Sequence, residues 1–273
     1  MSSPIRSGST GITVDSFVFA LKTLVFVLVA HAVAYLTHEY SHSLTAWLLG
    51  WMKQPFGIDY GNATVYNVIL LQDVSDNVDY TSIFAGGGVV SAALIALAGP
   101  FIGNGALYFI LYGLMSTGFI KSRRFFLEFF YWLALMCAGN VWSYVPIRSL
   151  TTHADIAIAA KGLGLSTWAL FPFVMALSGY VTWHFFCKMF PKAYKTVTAN
   201  AYGSLTLLIA LTSFWYFGFF GVSGLSGSYG LISQMLSIVS CGLLFPLCVV
   251  YLSSRYADKM GMPGSILQPA EID

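Results

Sequence analysis

The segment His38-Glu39-Tyr40-Ser41-His42 has the residue types and spacing to hold a metal ion. Positions four apart share one face of a helix, so the two imidazoles can grip the same ion. Glu39 sits beside that face, where its carboxylate can take a proton from a water activated by the metal. The chain holds only five histidines, and its glutamates are Glu39, Glu128 and Glu271, so the motif does not come from a stretch rich in either residue. It also falls inside a long apolar run. Ionisable side chains there are costly unless paired, metal-bound or wetted, which makes them functional candidates. The plainer reading is an interfacial helix end at which His and Glu simply meet headgroups and water.

Composition says what kind of element positions this motif. Apolar residues fill 57% of 273 positions and charged residues 9%, and mean hydropathy is +0.74. A soluble domain carries about a quarter charged residues, so this chain cannot cover a water-facing surface. The apolar residues come in long blocks separated by short charged links, the pattern of membrane-spanning helices. The predicted fold class is an all-α polytopic membrane protein in a lipid bilayer. A net charge of +2, with no basic stripe interleaved with aromatics, argues against a nucleic-acid partner.

The apolar runs cover residues 17–51, 83–119, 125–145, 167–187, 200–222 and 230–253. The first would be about 50 Å long as a helix, against a hydrocarbon core of about 30 Å, which predicts one tilted or kinked helix. It is too long for a signal-peptide core, so it should persist as the first span. The second run is interrupted at Gly99-Pro100 and counted as one crossing, giving six spans. Between the first two, residues 56–71 are rich in β-branched and aromatic types around Gly61-Asn62, which predicts a short β-hairpin or pair of strands. The links bearing Lys121, Arg123 and Arg124 and then Lys188, Lys192 and Lys195 are basic, as is the stretch with Arg255 and Lys259. The positive-inside rule places these in the cytoplasm and the links 52–82 and 146–166 on the other side. Both termini, with Arg6 near the start, would then be cytoplasmic.

A catalytic zinc ion needs a third protein ligand and an open position for water. Glu128 follows the basic cluster and should lie at the wrong membrane face. Asp155 follows the third span, on the same side as the end of the motif helix, and His153 competes with it two residues away. Other features read as structural. Cys137, Cys187, Cys241 and Cys248 lack paired spacing and read as small apolar residues. Gly86-Gly87-Gly88 and Gly99-x-x-x-Gly103 permit close helix approach. His31, seven residues before His38, reads as a helix-packing residue or a group supporting the metal ligands, and His184 as interfacial. Asn62-Ala63-Thr64 matches a glycosylation acceptor.

The order of these elements resembles the site-2 proteases, the M50-type intramembrane zinc metalloproteases. The resemblance rests on HEYSH in an early span, Ala98-Gly99-Pro100 with Asn104 four residues on, and Asn140, Pro146 and Asp155 in and after a later span. It covers residues 31–156. It implies His38, His42 and Asp155 as zinc ligands, Glu39 as general base and Asn140 as a polar stabiliser near the reaction centre. It departs from the family pattern at Ile156, where Gly is usual, and in the length of chain from Asn140 to Asp155. No accompanying soluble domain is seen, so a minimal member is implied. The chain then divides into a polar tail 1–15, a zinc-protease-like membrane core 16–166, C-terminal transmembrane helices 167–254 and a polar tail 255–273.

The implied activity is hydrolysis of a peptide bond in or near a transmembrane segment of a membrane-protein substrate. Strands at 56–71 would hold an unwound substrate by edge pairing. The alternative is a catalytically degenerate relative serving as a structural or accessory member of a membrane complex, with other membrane subunits as partners. A transporter using the His/Glu cluster for ions would be expected to show matching halves, and no internal repeat is seen.

Overall fold

The computed structural model describes residues 14–198 and 202–257. Most of both polar tails, including Arg6 and Lys259, lies outside these residues. Six helices among them are long and apolar enough to cross a membrane: Phe17–Leu48, Val89–Leu114, Arg124–Ile147, Thr167–Thr198, Gly203–Gly224 and Leu231–Tyr256. They are referred to below as the first to sixth helices. The first is continuous from Val14 to Leu48. It contains no Pro or Gly, so nothing interrupts its hydrogen-bond ladder.

The third helix is the axis of the bundle. Of its apolar stretch 78% is buried, against 22% for the sixth helix at the rim. Tyr131, Trp132, Leu135 and Met136 of the third helix pack with Tyr108, Phe185, Phe190 and Tyr216 in one large core. Polar pairs tie the helices together where no water can satisfy them. Tyr131 Oη meets Thr212 Oγ1 at 2.6 Å, Trp142 Nε1 donates to Ser240 Oγ at 3.0 Å, and Tyr108 Oη meets His184 Nδ1 at 2.8 Å. His184 is buried and packs between the second and fourth helices. The four cysteines are unpaired.

An ion-pair cluster marks one end of the bundle. Glu128, at the start of the third helix, pairs with Lys22 of the first and with Arg124, whose Nη2 also donates to Val197 O near the end of the fourth. The starts of the first and third helices thus lie beside the end of the fourth, as alternating crossings require. Glu128 is far from the motif, in keeping with its place after the basic cluster, and the partly exposed Lys22 and Arg124 neutralise its buried carboxylate.

The β-hairpin is not formed, and among the described residues there is no strand. The one pairing in this link is an isolated antiparallel bridge between Asp59 and Ser75. Residues Val65–Leu70 form a short helix instead. Thr64 caps it, its Oγ1 accepting from Asn67 N at 3.0 Å. The Asn67 amide donates to Tyr60 O and Asn62 O and accepts from Asp73 N. These side-chain bonds take up the backbone groups a hairpin ladder would have used. No edge strand at 56–71 is available to a substrate.

Candidate metal centre

His38 and His42 stand one turn apart near the end of the first helix, both buried. Their outer nitrogens are committed. His42 Nδ1 lies 2.7 Å from the carbonyl of Ile95, and His38 Nδ1 lies 2.8 Å from Asn104 Oδ1. Both partners are acceptors, so each Nδ1 carries a hydrogen, and each neutral ring turns the lone pair of Nε2 inward. Asn104 is fixed in turn: its Oδ1 also accepts from Asn140 Nδ2 at 2.9 Å, and its Nδ2 donates to Ala34 O at 2.9 Å. The His38 ring stacks on Tyr144 with centroids 4.5 Å apart. Neither imidazole is free to swing.

The second helix supplies this support because it is locally irregular. Pro100 has no N–H to offer the preceding turn, and the turns widen from Ala98 to Ala106. Such widened turns recur at functional sites. Gly103 lets the helices touch: a Cβ there would lie 2.5 Å from Thr37 O. Gly99 does something different. A Cβ on it would fall 2.2 Å from His42 Nε2 and 2.6 Å from His38 Nε2, in the space both rings face.

Asp155 reaches that space from a separate element, opening the short helix Asp155–Gly162. Ala154, before it, has φ of 75°, a left-handed conformation unusual for a residue with a Cβ. Ile156, Ala159 and Ala160 pack against Ala93 and Ala96 of the second helix, and Gly162 abuts the Val89 carbonyl. Ile156, where the resembled family has Gly, is thus a buried anchor that seats the carboxylate.

Asp155 Oδ2 lies 3.3 Å from His38 Nε2 and 3.4 Å from His42 Nε2, and the two nitrogens are 3.1 Å apart. Oδ2 is buried and accepts no hydrogen bond. Three electron-pair donors therefore converge with no hydrogen between them that the outer bonds do not already claim. Ligand atoms about 2.0–2.1 Å from a tetrahedral ion stand about 3.3 Å apart, and atoms at the observed separations share a point about 1.9 Å from each. The residues fit a small divalent cation, and Gly99 leaves its position clear of side-chain atoms.

The other candidates are placed elsewhere. His153 stacks on Tyr229 at 4.8 Å and lies 3.3 Å from Thr151 Oγ1, apart from the cluster. Glu39 is buried beside His38, and its carboxylate accepts no hydrogen bond among the described residues. Asn140 is two hydrogen bonds removed from His38, through Asn104. His31 bonds the Leu70 carbonyl at 3.1 Å and stands outside the cluster. Nothing in the sequence singles out Tyr144 or Arg148, and Gly99 stands out there only as a packing residue and as part of the family-like Gly-Pro element. For Asn104 there was a usable signal: an amide inside an apolar span is costly unless it has a task. A scan against protein-family models and searches of curated proteins and solved structures find no match to this chain. The functional reading therefore rests on the site.

Proposed function

We propose that this chain is an intramembrane zinc metalloprotease that hydrolyses a peptide bond in or near a transmembrane segment of a membrane-protein substrate. The observation that carries the reading is the convergence of His38 Nε2, His42 Nε2 and Asp155 Oδ2, three buried donors at tetrahedral spacing, with a glutamate beside them. Two nitrogens and one carboxylate oxygen are a common donor set for a zinc that keeps an open fourth position. Zinc bound there supplies Lewis acidity, polarising a carbonyl and lowering the pKa of a water to about 7.

The chain's own residues do the rest. Glu39 accepts the proton of the attacking water and returns it to the leaving amine. Asn104 and the Ile95 carbonyl hold the imidazoles in the tautomer that presents Nε2. Asn140 has its amide nitrogen committed to Asn104, so it acts as a positioning residue and not as an oxyanion donor. The surrounding bundle keeps bulk water and lipid from the reacting bond, which strengthens each charge interaction inside.

The test is purification of the full chain and of Glu39→Gln, with zinc analysis and an assay on a transmembrane peptide in liposomes. Both proteins should carry one zinc per chain, and the variant should lose at least about 10²-fold in cleavage rate. Undiminished cleavage by Glu39→Gln, or an unmodified chain that binds no zinc, would overturn the assignment.

A further inference from the structure

A cavity of about 310 Å³ is linked to the candidate metal centre through two of its wall residues, Asn140 and Arg148, whose partners Asn104 and Tyr144 touch His38. Its walls include His31 and Tyr35 of the first helix, Asn140 of the third, Phe219 and Phe220 of the fifth, and Arg148 just past the third. Its volume is at the small end for ligand pockets, enough for a short piece of peptide. Residues 31, 35 and 39 are spaced by four, so the helix face that carries Glu39 continues down the cavity wall.

Arg148 is the unusual member. Its guanidinium lies over the Tyr144 ring at 3.9 Å, and that ring stacks on His38, so cation, phenol and imidazole form one column. Its Nε donates to Ser143 O at 3.2 Å, Nη2 to Ser143 Oγ at 2.9 Å and Nη1 to Tyr229 Oη at a long 3.5 Å. A guanidinium has five donors, so two are uncommitted and a third is weakly held. All these partners are neutral. Among the described residues no carboxylate oxygen comes within 4.0 Å of Arg148. The contrast is Arg124, which is 47% exposed and nevertheless paired with Glu128. Asp155 and Glu39 feel its charge only from beyond contact distance, so this partly buried cation can still take an anion directly. Guanidinium binds carboxylate through two parallel N–H donors.

We propose that this cavity is a substrate subsite in which Arg148 binds a carboxylate lying within a residue or two of the bond to be cut, while Phe219, Phe220 and Val222 take an apolar side chain. This rests on the protease reading and narrows it. The substrate then carries a carboxylate close to the scissile bond, at a chain terminus or on an acidic side chain.

Binding tests this without turnover. The full-length Glu39→Gln chain in nanodiscs is titrated with three fluorescent peptides: an apolar pentapeptide ending in Phe as its free acid, the same peptide as a C-terminal amide, and that amide with Glu in place of Phe. The free acid should bind about tenfold or more tightly than the first amide, the scale of a charge-assisted hydrogen bond. Recovery of tight binding by the Glu-bearing amide assigns the carboxylate to a side chain, and no recovery assigns it to a chain terminus. Adding Arg148→Gln should abolish the discrimination and leave zinc content unchanged. Equal binding of the three peptides, binding of none, or discrimination that survives Arg148→Gln overturns the subsite. If the chain cleaves nothing but still discriminates, the protease reading fails and the anion subsite stands. If it cleaves acid and amide peptides with equal kcat/KM and binds them equally, the reverse holds.

Discussion

At the scale of single residues, the candidate site is defined by what each donor has already given away. His38 and His42 have committed their outer nitrogens to Asn104 and Ile95, which leaves their inner lone pairs facing Asp155. Asn104→Ala should therefore weaken metal binding by about 10–100-fold, the usual effect of losing a partner that orients a ligand. A zinc titration in competition with a chelator reads this directly. Gly99→Ala should remove the metal without unfolding the chain, because its Cβ would lie 2.2 Å from His42 Nε2. Zinc content should fall while the six long helices persist by circular dichroism, with some loss of stability because the fixed rings must give way. The motif itself was legible because helical spacing is local arithmetic. Gly99 was not, because a glycine that admits a neighbouring backbone and one that clears two imidazoles look alike in a sequence.

At the scale of elements, the third donor depends on how the Asp155–Gly162 helix docks. Gly162→Val would drive a side chain toward the Val89 carbonyl, 2.4 Å from the Cβ position. That should displace Asp155 and reduce bound zinc well below one per chain while the six long helices persist by circular dichroism. Spacing left His153 and Asp155 as rivals, and the family resemblance favoured Asp155. What places it is tertiary: the small-residue contact between Ala159, Ala160 and Ala93, with Ile156 buried beside them. The short helix Val65–Leu70 shows the opposite failure. Val65, Val68 and Ile69 have strand-like chemistry, but Thr64 and Asn67 captured the local backbone groups and decided the conformation. Alternation and β-branching do not report such bonds.

At the scale of the whole molecule, six apolar helices were legible from composition and block length, because the bilayer imposes both. The side-chain ties that order the helices, such as Tyr131 to Thr212 and Trp142 to Ser240, were not. The end bearing Lys22, Arg124 and Glu128 lies opposite the end bearing the metal-ligand cluster. On the positive-inside rule the former faces the cytoplasm. A cysteine introduced at Asn62 should then react with a membrane-impermeant maleimide added outside intact cells, and one at Ser122 only after permeabilisation; the reverse pattern would invert the orientation. The division of the donors between the first helix and the segment after the third also bears on biogenesis. A ribosome delivers the two imidazoles well before the carboxylate, so during synthesis the nascent chain presents an incomplete claw. On the proposed zinc reading, ion capture would have to await the third helix and the docking of the short helix that Asp155 opens, and a chain stalled before that point would lack the third donor.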